Sequence, residues 1–229
     1  MSQNSSALST LNVSNESYLQ EEEQYFELSA PPNTRLIRDE QSQDIITAPI
    51  IYTTSPHPFR DTQITILTPR TSSQCIGDQG GLVIFVGGAP GDSYRNELPR
   101  WATAGVEIVE DNRIRASSTV TKDQMDWSSF PLPHDTALLC SKFERLGDSL
   151  WISYSYETSH EPHVLVQSRQ INGFFTGIED QMIYSGAYAA RPGIFDPAVS
   201  TNLAFPAVFE FEHFVINGEA LECLTTFEG

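Results

Sequence analysis

Basic residues are scarce in this chain. Lys and Arg together number 13, against 30 Asp and Glu, and the formal net charge is −17. Because phosphate recognition depends on clustered Lys and Arg, this balance argues against nucleic acid as a partner. The same deficit argues against an anionic membrane surface. A neutral or cationic small molecule, a basic patch on another protein, or a charge that serves solubility alone all remain open interpretations.

Cysteine and long apolar runs are also in short supply. Cys75, Cys140 and Cys223 are odd in number, widely spaced and without a C-x-x-C motif, which favours reduced thiols over a disulfide framework. The N-terminal stretch carries neither a basic residue nor an apolar run of signal-peptide length. No run approaches the roughly 18 apolar residues of a membrane span. The sequence therefore predicts a soluble, cytoplasmic protein.

Recognisable metal and cofactor motifs are missing as well. His160 and His163 are three residues apart with Pro162 between them, a spacing that favours solvated loop histidines over metal ligands. The glycines of residues 77–91 lack the Lys and the following helix of a phosphate-binding loop. The carboxylate cluster of jelly-roll glucanases is absent around Glu107. We therefore predict neither a metal nor a cofactor.

The chain does contain a succession of short segments that are typical of strands. Each is rich in β-branched or aromatic residues and is bounded by Gly, Pro, Asp, Asn or Ser. These segments span residues 49–54, 63–68, 81–86, 101–109, 114–121, 137–145, 150–156, 163–170, 182–190 and 207–216. Such a series without a long helix predicts an all-β fold of two packed antiparallel sheets. Long loops are expected at residues 87–100 and 191–206.

The N-terminal residues differ in composition from the rest. Residues 1–24 are rich in Ser, Asn, Gln and Glu and contain no basic residue, so we predict a disordered or loosely attached acidic tail. Residues 25–229 are predicted to form a single β-sandwich domain, a length that one such domain commonly reaches.

The segment that begins at Trp101 has a marked alternation. Successive side chains of a strand point to opposite faces of the sheet, so residues two apart share a face. One stripe then consists of Trp101, Thr103, Gly105 and Glu107. The other stripe consists of the small or aliphatic residues Ala102, Ala104, Val106 and Ile108. The aliphatic stripe is typical of core packing. The stripe with Glu107 has the mixed character of a ligand-binding surface.

Several motifs in order carry a resemblance to a known family. They are Asp78-Gln79-Gly80-Gly81-Leu82, Trp101 with Gly105-Val106-Glu107, Ser118-Thr119-Val120, Asp126-Trp127-Ser128, Gly147-Asp148-Ser149-Leu150-Trp151, Phe174-Phe175 and Ala187-Tyr188-Ala189-Ala190-Arg191-Pro192. Over residues 48–192 the chain resembles a concanavalin A-like jelly-roll family that includes the fungal "regulation of enolase" proteins. The hetero-Diels–Alderases that join tropolones to sesquiterpenes belong to or near this group. The resemblance implies a jelly-roll sandwich, and it indicates function weakly because one fold hosts many activities.

Two departures from the family pattern affect the expected site. The family commonly reads W-x-K-x-G-x-E, and this chain has Thr103 at the Lys position. We therefore expect Glu107 to lack its usual cationic partner and the groove to be less polar. The run before Phe174, residues 168–173, keeps Arg169 but lacks the family's acidic residue. Both changes indicate a face adapted to a different ligand.

The candidate site residues come from these motifs. Glu107 is predicted to act as an acid or base, and Arg191 to polarise a ligand oxygen. The predicted substrate contacts are Trp101, Thr103, Tyr188, Gln79 and Tyr52. For Glu107 an alternative stays open, a structural hydrogen bond to a buried Arg such as Arg191. Asp126 is expected to be a turn or capping residue, and most of the other aromatic residues are expected in the core.

Three functions remain open at this point. The first is an enzyme of fungal specialised metabolism that binds a largely apolar, polyoxygenated intermediate and guides a hetero-Diels–Alder-type cyclisation, with or without dehydration. It would need no cofactor, and it predicts a closed apolar pocket of several hundred Å3. The second is a non-catalytic regulator that binds a metabolic enzyme such as enolase, with a protein as its partner. The third is a lectin-like carbohydrate-binding module. The oligomeric state is left open.

Overall fold

The computed structural model describes residues 8–14, 18–22, 24–69, 75–91, 99–110, 113–122, 124–178, 181–193 and 205–221. Strands are numbered in chain order. One sheet has seven strands in the spatial order β1 (Ser9–Leu11), β6 (Ile50–Thr54), β15 (Ile183–Ala190), β8 (Gln79–Val86), β9 (Arg100–Val109), β10 (Arg113–Thr121) and β11 (Met125–Pro131). All of its neighbouring strands are antiparallel.

The second sheet has eight strands and packs against the first. Its spatial order is β14 (Val164–Ile171), β13 (Ser149–Thr158), β12 (Thr136–Leu146), β7 (Asp61–Leu67), β16 (Ala207–Ile216), β3 (Tyr25–Ala30) and β2 (Tyr18–Glu22), with β17 (Glu219–Ala220) beside β16. A separate two-stranded sheet is formed by β4 (Leu36–Arg38) and β5 (Asp44–Ile46). The architecture is a concanavalin A-like jelly-roll sandwich, as the sequence predicts.

The main core lies between the two large sheets and follows from alternation along the strands. In β9 the side chains of Ala102, Ala104 and Val106 are fully buried in this core. From the opposite sheet, Phe209 and Phe211 of β16 contribute buried rings to the same cluster. Burial of aromatic and aliphatic side chains on the inner face of both sheets is the principal source of stability for such a fold.

Each of the ten predicted strands is present, with ends shifted by a few residues at most. β11 was not among them, because Asp126 was expected to be a turn or capping residue; it lies instead inside a strand that pairs with β10 over Thr121–Arg115. Half of the predicted loop at residues 87–100 and most of the one at residues 191–206 fall outside the described residues. Cys75 and Cys140 form no disulfide with each other, and Cys223 lies outside the described residues.

The prediction of a loosely attached tail at residues 1–24 is wrong for two segments. β1 pairs with β6 through Ser9–Tyr52, Thr10–Ile51 and Leu11–Ile50, and β2 pairs with β3 in the other sheet. Polar strands at a sheet edge bury little apolar surface, so composition alone does not reveal them. In the described part of the chain, no helix has the length and apolar character needed to cross a membrane.

Candidate functional site on the outer face of the seven-stranded sheet

The strand register brings most of the predicted site residues onto one face, which we call the ligand face. It is the side of the seven-stranded sheet that points away from the main core. Glu107 of β9 lies directly opposite Gln79 of β8 and Arg115 of β10. Two residues further along, Gly105 lies opposite Gly81 and Ser117, and the next row joins Val83, Thr103, Thr119 and Trp127. The predicted stripe of Trp101, Thr103, Gly105 and Glu107 therefore shares a single face.

Two glycines at the centre of this face allow the strands to approach closely. A Cβ on Gly105 would lie 2.6 Å from the Cα of Gly81, well inside van der Waals contact. Gly81 is in turn the cross-strand partner of Tyr188 on β15. Because neither glycine has a side chain, the surface of the sheet has a shallow depression between Tyr188 on one side and Ser117 on the other.

One half of the ligand face is apolar and covered by the β4–β5 hairpin. Buried side chains of this half form a second cluster: Leu36, Ala48, Ile50, Val83, Phe85, Trp101, Tyr188 and Ala190, with Ile46, Tyr52 and Tyr184 packed against them. Tyr52 contacts Tyr184 edge to face at a centroid separation of 5.9 Å. The hairpin residues Leu36 and Ile46 supply the cover. We call this part the covered half.

Asp44 fastens the hairpin to the sheet. Its Oδ1 accepts a hydrogen bond of 3.0 Å from the indole Nε1 of Trp101, and the same carboxylate accepts two hydrogen bonds from Arg38, at 2.8 and 2.9 Å. Arg38 also donates to the carbonyl oxygen of Pro99 at 2.6 Å. Trp101 is fully buried, so its predicted contact with a substrate requires the hairpin to move and stays a prediction.

Thr103 and Tyr188 lie next to each other at the border of the covered half. Both are almost fully buried, and the Thr103 hydroxyl accepts a hydrogen bond of 3.3 Å from the backbone N–H of Thr119. Burial raises the pKa of the Tyr188 phenol; the nearby Thr103 hydroxyl opposes this rise, and the charge of Glu107 adds to it. The two predicted contacts therefore lie beside Glu107 but expose little surface.

The other half of the face, which we call the open half, is polar and centred on Glu107. Burial raises the pKa of the Glu107 carboxyl, while the side chains of Gln79 and Trp127 and the charge of Arg115 lower it. Burial is the largest of these effects. The Trp127 side chain is 50% exposed, so its ring is available to a ligand. Gln79 lies directly opposite Glu107, and its predicted contact with a substrate stays a prediction.

Two buried polar atoms of the open half have no hydrogen-bond partner among the described residues. They are Oε2 of Glu107 and Nε of Arg115. Arg115 Nη2 donates to the carbonyl oxygen of Ser129 at 3.5 Å. The expectation that Glu107 loses its cationic partner, with Thr103 at the Lys position, stays a prediction. Arg115, on the adjacent strand, contributes a positive charge that lowers the pKa of the Glu107 carboxyl.

Arg191 lies on the opposite side of the sheet from Glu107. It is fully buried, and its Nε and Nη2 donate to the two oxygens of Asp78 at 3.0 and 2.6 Å. Its Nη1 also donates to the carbonyl oxygen of Phe205. By strand alternation Asp78 shares a face with the core residue Leu82, whereas Gln79 shares one with Glu107. Arg191 and Glu107, predicted to work together, are therefore not brought together.

Asp126 is engaged in a cross-sheet contact. Its carboxylate pairs with Arg169 of β14, and Arg169 also donates to the hydroxyls of Ser118 and Ser128, at 3.3 and 2.9 Å. Arg169, the arginine that this chain shares with the family pattern, thus links the edges of the two large sheets.

Arg115 and Trp127 also lie in the open half, but they were not predicted as site residues. The sequence indicates which face of its strand each side chain occupies. It does not indicate the register between strands, which places both residues beside Glu107.

A small cavity of about 110 Å3 lies away from this face. Its lining residues are Ser55, Pro56, His57, Phe59, Gln181, Met182 and Ile183. It belongs to one end of the sandwich, and it is smaller than the closed pocket of several hundred Å3 that a cyclase with an apolar ligand was expected to have. The ligand face is the candidate site because its register brings Glu107, Gln79 and Arg115 together; the closed apolar pocket expected of a cyclase stays a prediction.

The fold and the site define a two-sheet jelly-roll protein with a polar site on the outside of one sheet. The chain belongs to the family described as "Protein of unknown function (DUF1349)", whose model matches residues 12–203. An uncharacterized protein of Emericella nidulans, AN7484, is 29% identical over 170 residues, which cover 73% of this chain and 77% of that protein. A fungal relative is thus confirmed, and its function is as undefined as that of the family.

Solved structures show the same fold at low sequence identity. A functionally unknown protein from Saccharomyces cerevisiae superposes with a TM-score of 0.62 at 16% identity, covering 93% of this chain and 96% of that one. A bifunctional GH43-CE protein of Bacteroides eggerthii superposes with a TM-score of 0.52 at 12% identity. That match covers 85% of this chain but 21% of the Bacteroides chain. At these identities the likeness concerns the fold alone.

Proposed function

We propose that the chain is an enzyme that binds a small, oxygen-rich molecule on the open half of the ligand face and moves a proton through Glu107. The observation that carries this proposal is the environment of the Glu107 carboxyl. Burial raises its pKa, and one of its oxygens is buried without a partner among the described residues. A carboxyl group in such a setting lowers the stability of the fold, and carboxyl groups with a shifted pKa are concentrated at catalytic sites.

The reaction class that fits this site is cyclisation coupled to loss of water. The Glu107 carboxylate takes a proton from the substrate, and the carboxyl group that results gives this proton to a hydroxyl oxygen as the C–O bond breaks. Water leaves and the carboxylate is restored, which balances the step. No redox partner is needed. Ring closure itself requires chiefly that the reacting ends be held together, for which the half-exposed Trp127 ring offers a flat apolar contact.

The proposal is tested by co-expressing the chain with the genes that neighbour its own in the source genome. Wild type, Glu107→Gln and Glu107→Asp are compared, with Glu110→Gln as the matched control because Glu110 is exposed at the end of β9. We expect wild type and the control to convert a metabolite to a cyclised product lighter by one water. Glu107→Gln should lose this conversion by about 100-fold or more. Equal conversion by Glu107→Gln and wild type would refute the role of Glu107.

A carbohydrate-binding module is the second candidate, and the exposure of Trp127 favours it. An exposed indole beside polar side chains is a common platform for a sugar ring. This alternative predicts binding to a glycan array that Trp127→Ala abolishes, without turnover of any bound sugar. A non-catalytic regulator would instead leave the metabolite pattern unchanged in Glu107→Gln and retain binding to its enzyme partner.

A further inference from the structure

The open half contains a buried acceptor and a buried donor that face the same side of the sheet. Oε2 of Glu107 and Nε of Arg115 have no hydrogen-bond partner among the described residues. In folded proteins nearly all buried polar atoms are paired, since an unpaired one forfeits its hydration without compensation. One unpaired atom of each kind on adjoining residues therefore indicates a partner that offers the complementary pair of groups.

The register sets the spacing of these two groups. Glu107 and Arg115 are direct cross-strand partners, and in such pairs the Cβ atoms are roughly 5 Å apart. Groups that satisfy both side chains must therefore lie close together on the ligand. A carboxylate oxygen accepts from a hydroxyl, and a guanidinium N–H donates best to an oxygen with high negative charge, such as a carbonyl oxygen.

We propose that Glu107 and Arg115 together recognise a hydroxyl group and a carbonyl oxygen on neighbouring atoms of the ligand. The ligand class is then an α-hydroxy carbonyl compound, with the hydroxyl donating to Glu107 Oε2 and the carbonyl accepting from Arg115 Nε. This inference rests on the proposed function, since it places the substrate of that function at the same carboxyl group. Arg115 is a ligand-binding residue in this scheme, in the role that sequence analysis assigned to Arg191.

The chain provides an internal reporter and an internal reference for ligand binding. Trp127 is half exposed and close to Glu107, so its indole N–H resonance should shift when a ligand occupies the open half. Trp101 is fully buried and its indole N–H is hydrogen-bonded to Asp44. Its resonance should stay in place, which separates binding at this face from a general effect of the added compound.

The experiment is an NMR titration of the full chain with three small probes, at a pH where the side-chain carbonyl resonance of Glu107 shows that the group is ionised. The probes are 2-hydroxycyclohexanone, its methyl ether 2-methoxycyclohexanone, which lacks the donor, and cyclohexanol, which lacks the carbonyl. We expect 2-hydroxycyclohexanone to bind about tenfold more tightly than either analogue, as the loss of one charge-assisted hydrogen bond predicts.

Two variants assign this preference to Arg115. Arg115→Lys keeps the charge but removes the Nε donor, and it should bring the affinity for 2-hydroxycyclohexanone down to that of cyclohexanol. The matched control is Arg113→Lys, an exposed arginine on the same strand, which should retain the wild-type preference. An unchanged amide spectrum establishes that each variant is folded.

The outcomes separate this inference from the proposed function. If all three probes shift Trp127 with equal affinity, or if Arg115→Lys keeps the preference, the two-point recognition is wrong while the open half remains a binding site. If no probe shifts Trp127 at any concentration, the open half does not bind oxygen-rich small molecules and both proposals fail.

Discussion

Replacing Arg191 by Met tests whether this residue is a structural partner of Asp78. Both side chains are fully buried, with relative exposure of 0% for each. Two charge-assisted hydrogen bonds of 3.0 and 2.6 Å join them, and Asp78 accepts another of 2.6 Å from the backbone N–H of Cys75. Met fills much of the space of the arginine stem but cannot donate. The substitution therefore leaves the Asp78 carboxylate buried and without its counter-charge.

The expected cost is large because a buried charge loses its only described ion-pair partner. Removal of one member of a buried ion pair destabilises a protein by about 3–5 kcal/mol. That is a large share of the roughly 5–15 kcal/mol by which a domain is stable. The double substitution Asp78→Leu with Arg191→Met should recover much of the loss, since well-packed apolar residues replace such pairs at little cost.

Equilibrium urea unfolding, followed by tryptophan fluorescence and by circular dichroism, measures this cost. Arg113→Met is the control, because Arg113 is exposed and its replacement should change the free energy of unfolding by less than about 0.5 kcal/mol. A cost below about 1 kcal/mol for Arg191→Met would refute the structural assignment. It would also restore Arg191 as a candidate for contact with a ligand.

The remaining predictions concern the ligand face. Burial raises the pKa of Glu107 in the folded state above its value in the unfolded state. Between these two values the folded form binds more protons, so stability falls as pH rises through them. Glu107→Gln should remove this fall and raise stability at neutral pH by about 1 kcal/mol, which melting curves across the acidic and neutral range would check. Gly105→Ala should cost about 1–3 kcal/mol in urea unfolding, because the new Cβ meets the Cα of Gly81 at 2.6 Å. Trp101→Phe should cost about 1 kcal/mol beyond its packing loss, because Asp44 loses the indole donor; an unchanged midpoint would show that this hydrogen bond does not hold the hairpin.

The fold could be predicted because its core strands show their alternation within single segments. In β9 the residues Ala102, Ala104 and Val106 face the main core, and the residues between them face outward. In β16 the same period places Phe209 and Phe211 inside. Such a pattern needs no knowledge of the partner strand, since each strand is half buried by itself.

Strand β1 and the β4–β5 hairpin were not predicted, for a common physical reason. Strands of three residues, such as Ser9–Leu11 and Leu36–Arg38, are too short to show a period. Their position depends on partners far along the chain, since β1 pairs with Ile50–Tyr52. Tertiary pairing therefore orders segments whose composition alone favours a coil.

The site was predicted only where a single strand carried it. Glu107 was found from its motif, and its neighbour Gln79 from another. Arg115 was missed because it approaches Glu107 through the register of β9 and β10, which no local pattern encodes. Arg191 was misplaced for the same reason. Its partner Asp78 is 113 positions away in sequence, and the two meet on the other side of the sheet.

The threonine at position 103 follows from the way the hairpin divides the ligand face. Thr103 is 4% exposed and touches Tyr188 at the border of the covered half, where an ammonium group would be buried beside a phenol. A small hydroxyl side chain meets that constraint, because it is satisfied by the backbone N–H of Thr119. Arg115 of the adjacent strand β10 lies opposite Glu107 in the open half, and its charge lowers the pKa of that carboxyl. The positive charge near the proposed acid and base therefore lies on the polar side of Thr103, away from the covered half.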